Sequence, residues 1–431
     1  MYANPIAYIF SCLFVIIAHS AMLVNIWFNG NYAETKDVAV LGAAVIILDI
    51  AYFVIILFIK QSSYVLDFLL ILILNMSIIF QSSFGKIEFN TKHFITCIVC
   101  LIACKVSYFL CRNHKLLQEN KKYIYAAIGV VALITFVFTS AENMWLEFGK
   151  FTIQPSEFMK PLFVLACSTS IAQQQHKHKV MFFNVVYDNI AVFGIMLGIC
   201  LVQIKSHDYG SLPTFLSIYG VGFLLRICYP KAKFSRKKLI AVIAAGVVCL
   251  GIALRYAPDY VQRRLHVDIW SDTTGDGYQQ SQALIAIANG GWFGVGPGKG
   301  FLVNVFAHEN DIVFATISEG WGLLFALMMV LTIIIITAVP LVNPARSYYH
   351  GTMSACVSAA LIVQMSLNIF GSCNLIPFTG VTIPFISEGG SSLMVSGLMI
   401  GMLMAAQSPV FKEPKNDKQE TAAAPAWRWQ E

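Results

Sequence analysis

Apolar stretches of 18 or more residues recur along almost the whole chain, and each is long enough to cross the hydrocarbon core of a bilayer as a helix. Taken at roughly 20 residues per crossing, about twelve spans fall near residues 5–28, 38–60, 63–84, 93–112, 122–140, 156–172, 182–203, 211–228, 237–255, 311–340, 352–372 and 384–406. The runs do not alternate apolar and polar residues, so they read as helices and not as barrel strands. In hydrocarbon only those two structures satisfy the backbone. Composition agrees: the 431 residues are 57% hydrophobic and 12% charged, about half the charge fraction of a soluble domain. The expected fold is an all-α polytopic membrane protein. No Lys or Arg precedes the first run and no small-residue cleavage site follows it, so residues 5–28 read as a retained helix and not as a signal peptide.

Loop charge sets the orientation, because cytoplasmic loops carry the excess of Lys and Arg. With both termini cytoplasmic, the inner loops hold Arg112, Lys115, Lys121 and Lys122; Lys177 and Lys179; Lys231, Lys233, Arg236, Lys237 and Lys238; and Arg346. The tail with Lys412, Lys415 and Lys418 is then also inside. The net charge of +6 is that of basic inner loops and asks for no nucleic-acid partner. The long, glycine-rich connection 256–310 falls on the outer side, and its aromatic and apolar residues predict an ordered loop packed on the membrane domain. Residues 409–431 are polar and Ala/Pro-rich, as in a disordered cytoplasmic tail. Of the eleven cysteines, Cys97, Cys100, Cys104 and Cys111 share one apolar run. Without a histidine–cysteine knuckle they read as packing residues and not as zinc ligands.

Ionisable groups inside a membrane domain are costly and mark function or a structural pair. Asp49 and Lys105 lie mid-run and could pair with each other, while Asp188 sits near a span end and is assigned no role. Four polar stretches are more informative. Gln154-Pro155-Ser156-Glu157 suits a helix start, with Pro155 in the first turn and Glu157 complementing the dipole; Lys160 follows on the same face. Ser206-His207-Asp208-Tyr209-Gly210 is a polar turn at a span end. Ser271 to Gln282 alternates glycines with Asp272 and Asp276, then offers Tyr278, Gln279, Gln280, Ser281 and Gln282, neutral groups suited to sugar hydroxyls. Pro384 to Ser392 brings small residues and hydroxyls to the start of the last span, which permits close packing and also anion binding. The run Gly294 to Gly300 looks like a phosphate loop, but it follows no strand, contains Pro297 and has no Ser or Thr after Lys299, so it is no nucleotide site.

These stretches, in this order, resemble the SEDS family of cell-wall proteins, whose members are called RodA, FtsW and SpoVE. The match covers the QPSE and following lysine, the Asp-x-Gly turn at Asp208, the loop from Asp272 to Gln279, the Gly-Gly-x-Phe-Gly-x-Gly run at 290–296 and the Pro-Phe-Ile-Ser-x-Gly-Gly-Ser-Ser end. It spans about residues 140–406 and divides the chain into N-terminal helices 1–140, a catalytic membrane core 141–408 and the tail 409–431. The family core has ten spans, so about two are surplus and lie before residue 140. The resemblance implies a peptidoglycan glycosyltransferase of the plasma membrane that polymerises lipid II on the outer face beside a class B penicillin-binding protein, in elongation, division or sporulation. It implies Asp272 as the catalytic general base, with Asp276 a weaker rival. The expected substrate-binding set is Glu157, Lys160, Asp208, Arg264, Tyr278, Gln279, Ser281, Gln282, Asp311, Glu319, Ser391 and Ser392. Lys160, Arg264, Arg263 and Lys299 are candidates to face the leaving pyrophosphate, and a divalent cation, Mg or Mn, could share that charge, although no ligand cluster marks a metal site. The chain departs from the family pattern at Asn143-Met144, where an arginine precedes the tryptophan, at His207, where the turn has proline, and at His308, one residue too far from Asp311. The rival reading is a lipid II flippase or transporter, which intramembrane Asp49 and Lys105 favour.

Overall fold

The computed structural model describes residues 5–32, 34–59, 63–140, 143–148, 151–172, 178–180, 183–185, 187–227, 240, 244, 251, 255, 262–264, 267–271, 275, 277–343, 345 and 347–407. The helices in chain order are α1 (Pro5–Asn29), α2 (Thr35–Leu57), α3 (Val65–Gln81), α4 (Thr91–Cys111), α5 (His114–Glu119) and α6 (Lys121–Phe138). Then come α7 (Pro155–Ala172), α8 (Tyr187–Lys205), α9 (Leu212–Ile227), α10 (Tyr278–Gly290), α11 (Val313–Trp321), α12 (Leu323–Val342), α13 (Tyr348–Ser372) and α14 (Gly390–Gln407). Two short antiparallel hairpins, β1 (Leu146–Phe148) with β2 (Phe151–Ile153) and β3 (His178–Val180) with β4 (Phe183–Val185), sit in the connections before α7 and α8. Among the described residues, nine helices are long and apolar enough to cross a membrane. Ten of the twelve predicted spans coincide with a described helix and the tenth, 311–340, with two; the ninth, 237–255, lies outside the described residues except at single positions, and so does the tail 409–431.

Two expectations are corrected. The run 311–340 is not one helix. It breaks at Gly322, where φ is +92° and a Cβ would overlap the Trp292 carbonyl, so only glycine allows the 292–294 backbone to approach. Asp49 and Lys105 do not pair with each other. His19 Nδ1 of α1 lies 2.7 Å from Asp49 Oδ2 of α2, and Asn75 Nδ2 of α3 donates to Asp49 Oδ1 at 2.9 Å. Lys105 of α4 instead meets Asp67 of α3, whose Oδ1 also accepts from the Tyr52 hydroxyl of α2 at 2.7 Å. Helix rotation decides such partners, and a sequence run does not display it. Asp188 is paired as well, with Lys121 at 2.7 Å.

The core forms where small residues let backbones meet. α14 runs along α4, and Gly397 and Gly401 lie so close to the Cys100 and Cys104 carbonyls that a Cβ at either would overlap them. Cys97, Cys100, Cys104 and Cys111 of α4 are all buried free thiols, as expected of packing residues. α13 is central, in contact with α7, α9, α12 and α14. This brings the starts of α7 and α14, the end of α8 and the end of α13 to one end of the bundle, the end that also carries α10 and the glycine-rich loop, hereafter the loop end.

Candidate active site

The N-terminus of α7 organises the loop end. Pro155 opens the helix, where its missing N–H costs nothing. Just before it, the Gln154 amide N–H donates to Ser391 Oγ at 3.1 Å, and its side chain donates to Asp208 Oδ2 at 3.0 Å. Ser156 Oγ reaches the same oxygen at 3.4 Å. Asp208 is presented by a turn in which His207 holds φ at +57°. Proline cannot adopt that angle, so the turn here differs in backbone from one built on Pro-Asp-x-Gly. Burial pushes the Asp208 carboxyl above its ordinary value, against the donors of Ser211.

One turn deeper, Lys160 Nζ donates to Glu157 Oε1 at 2.6 Å and to Gln364 Oε1 of α13 at 3.3 Å. Lys160 is 1% exposed and Glu157 6%, so water does not weaken the pair. Gln364 Nε2 in turn donates to the Thr382 carbonyl at 3.2 Å, and Thr382 Oγ1 lies 2.7 Å from Ser392 Oγ. Glu157 Oε2 is buried and has no partner. Five predicted residues, Glu157, Lys160, Asp208, Ser391 and Ser392, are thus brought together by four separate segments. Phe385, on the strand of chain leading to Ser391, is held at φ +69°. A non-glycine residue at such an angle stores strain of the kind that collects at functional sites.

A second group lies alongside. Arg264 Nη1 donates to the Phe378 carbonyl at 2.7 Å, and its charge acts on Asp311. Burial pushes the Asp311 carboxyl up to about 7, with Arg264 opposing the rise. Asn368 Nδ2 of α13 holds the Asp311 and Val381 carbonyls at 2.9 and 2.7 Å. Burial and the neighbouring Glu388 push Glu309 up to about 7 as well. Lys92 and Asn90 keep Glu388 below its ordinary value although burial acts the other way.

α10 carries the remaining predicted groups. Gln279 Nε2 donates to the Phe306 carbonyl at 2.8 Å, Ser281 Oγ to the Tyr278 carbonyl at 2.9 Å, and Gln282 is half-buried. Tyr278 N–H donates to the Gly275 carbonyl at 3.1 Å, which fixes the end of the acidic loop to the helix start. Asp272 and Asp276 themselves lie outside the described residues. Glu319 stands apart from the Lys160 network. It is fully buried on α11, and its carboxylate accepts from the Phe301 and Leu302 amides at 3.1 and 3.0 Å and from Asn289 at 3.1 Å. Its acceptors are taken up in folding the glycine-rich loop.

Gln364, Thr382 and Asn368 were not singled out by sequence, and Gln154 was named only as part of a helix start. A signal existed for two of them: Gln364 and Asn368 are amides four residues apart in an apolar helix, hence on one face. Among the described residues no group of three or more His, Cys, Asp or Glu side chains converges as metal ligands.

With this geometry in view, the comparisons agree on one family. The model of the FtsW/RodA/SpoVE family, described as cell cycle protein, matches residues 55–410. The chain belongs to that family. The match begins near the end of α2, so α3 to α14 fall inside it. The chain is 29% identical over 305 residues to a probable peptidoglycan glycosyltransferase FtsW of Alcanivorax borkumensis, covering 67% of this chain and 76% of that one. It is 30% identical over 298 residues to the peptidoglycan glycosyltransferase RodA of Mycobacterium tuberculosis, covering 65% and 62%. In fold it is similar to a chain solved in a study of polymerization and crosslinking by a peptidoglycan synthase complex, with TM-score 0.62 and 18% identity over 81% of this chain and 98% of that one. It is also similar to the crystal structure of Thermus thermophilus rod shape determining protein RodA, with TM-score 0.53 and 17% identity over 81% and 97%.

Proposed function

We propose that the chain is a peptidoglycan glycosyltransferase that joins lipid II disaccharides by β-1,4 linkage and releases undecaprenyl pyrophosphate. Family membership supports the reaction class. One geometric observation supports the location: the four segments that bring Glu157, Lys160, Asp208, Ser391 and Ser392 together meet at the end of the bundle that carries α10 and its acidic loop. With both termini cytoplasmic, that end faces outward. A class B penicillin-binding protein is the proposed partner, by similarity to a chain studied within a peptidoglycan synthase complex.

Asp272, at the start of the loop that Tyr278 and Gly275 close, takes the proton from the acceptor sugar hydroxyl. The freed oxygen forms a bond to the donor's anomeric carbon from the face opposite the leaving group. The bond from that carbon to the pyrophosphate oxygen breaks, the electron pair leaves with the pyrophosphate, and configuration inverts in one displacement. Developing charge on the pyrophosphate needs positive groups in a water-poor site. Lys160 is already paired with Glu157, so its charge acts as part of that pair. Arg264 lies at the rim beside Asp311. A divalent cation would share the leaving group's charge, but Glu157 and Asp208 fit one poorly: Glu157 is bound to Lys160, and Asp208 is enclosed by Gln154, Ser156 and Ser211.

The transporter reading loses its favouring observation, because Asp49 and Lys105 are both consumed by helix-to-helix partners. Purified protein, with and without its penicillin-binding partner, given labelled lipid II should yield glycan ladders. Lipid II crossing a vesicle wall with no ladder formed would overturn the polymerase reading.

A further inference from the structure

Helices α1 and all but the end of α2 precede the family match at residue 55, and nothing in the proposed chemistry uses them. Their connecting turn nevertheless crosses the loop end. Asn31 N–H donates to the Pro297 carbonyl at 3.0 Å and its side chain to the Gly298 carbonyl at 3.3 Å. The Asn31 carbonyl accepts from Ile87 N–H at 2.9 Å, and Tyr32 bridges Ile87 in parallel. The fit is tight from the other side too. Gly298 has φ +76°, and a Cβ there would overlap the Gly85 carbonyl and lie 3.2 Å from the Asn31 carbonyl.

The turn is not free to drift. The His19–Asp49–Asn75 contact and the Tyr52–Asp67 bond fasten α1 and α2 to α3 inside the bundle. The loop it touches is held at its far side by Glu319, through the Phe301 and Leu302 amides, and by Val295 and Gly296 N–H groups on the Glu319 and Gly320 carbonyls at 2.9 and 3.0 Å. That loop then leads to Phe306, whose carbonyl receives Gln279 of α10. α10 starts directly after the acidic loop.

We propose that the α1–α2 hairpin is a built-in clamp for the polymerase site, with Asn31 a positioning residue acting through residues 294–306 on Gln279 and the start of α10. This rests on the polymerase reading for its catalytic half only. An isosteric Asn31→Asp keeps the side chain's size and the backbone bond to Pro297 but replaces the side-chain donor with a carboxylate facing the Gly298 carbonyl. Hydrogen exchange of full-length protein in detergent should then speed up at the Val295, Gly296, Phe301 and Leu302 amides. Polymerisation should fall about ten-fold in kcat, about 1.4 kcal/mol in barrier, at unchanged KM for lipid II. Asn31→Gln, which keeps a donor on an exposed turn, should restore both. Gly298→Ala attacks the same contact from the loop and should reproduce both effects if the first variant folds badly. Unchanged exchange at those amides, or faster exchange with unchanged kcat, would overturn the clamp. A wild-type protein that makes no glycan would instead sink the polymerase reading, and the exchange comparison would still decide whether the hairpin holds the loop.

Discussion

The bundle holds two lysine–carboxylate pairs, each with a buried carboxylate, that end differently. Lys105 of α4 meets Asp67 of α3, and Tyr52 of α2 closes the group, so one carboxylate binds three helices. Lys160 meets Glu157 on its own helix, runs on through Gln364 and Thr382 to Ser392, and leaves one Glu157 oxygen without a partner. A pair satisfied across helices holds the fold together. A pair satisfied within one helix, with an unused acceptor and hydroxyls at its end, has capacity left for a ligand. Under the proposed function, the difference separates a structural charge from one that serves the site, although both carboxylates are buried and both pairs look alike in sequence.

The comparison breaks most sharply under neutralisation. Lys105→Met and Lys160→Met each strand a buried carboxylate and should each cost about 3–5 kcal/mol, read as a lowered thermal midpoint in detergent. Removing both charges separates the two sites. Asp67→Asn with Lys105→Met should recover stability and polymerisation alike. Glu157→Gln with Lys160→Met should recover stability but stay down on the order of 100-fold in polymerisation. Wild-type turnover from that second pair would erase the distinction.

A smaller effect sharpens the structural side. Gly401→Val forces a side chain onto the Cys104 carbonyl and should cost about 1–3 kcal/mol of overpacking strain, with turnover per folded molecule unchanged. An unaltered midpoint would mean that α4 and α14 do not meet backbone to backbone.

The smallest effect is a pH slope. Folded protein keeps the Asp311 proton up to about pH 7, whereas an unfolded chain releases it near 3.8. The folded state therefore binds more protons between those values, and this site's contribution to stability falls as pH rises from about 4 to about 7, then levels off. Asp311→Asn should flatten that slope in midpoints measured against pH. Parallel profiles for the two proteins would show that Asp311 is not held protonated.

Much of this was legible in the chain itself. Span positions followed from apolar runs, since a bilayer leaves few alternatives to a helix of that length. Gln154-Pro155-Ser156-Glu157, Asp208 and Ser391-Ser392 stood out because polar groups are expensive beside a membrane. What sequence did not carry was direction. His19 and Asp67 were invisible as partners of Asp49 and Lys105, because periodicity says which residues are costly and not which way a helix is turned. Glu319 looked like the others in its acidic character, yet the backbone amides of residues 301 and 302 claim it. The break at Gly322 was hidden because apolar character continues through it.

The most direct test of the whole account is lipid II polymerisation by Asp272→Ala protein that matches the wild type in thermal midpoint and in partner binding. Loss of the glycan ladder by at least about 100-fold, the scale of a missing general base, is the predicted result. Ladders of wild-type length and rate from that variant would contradict it.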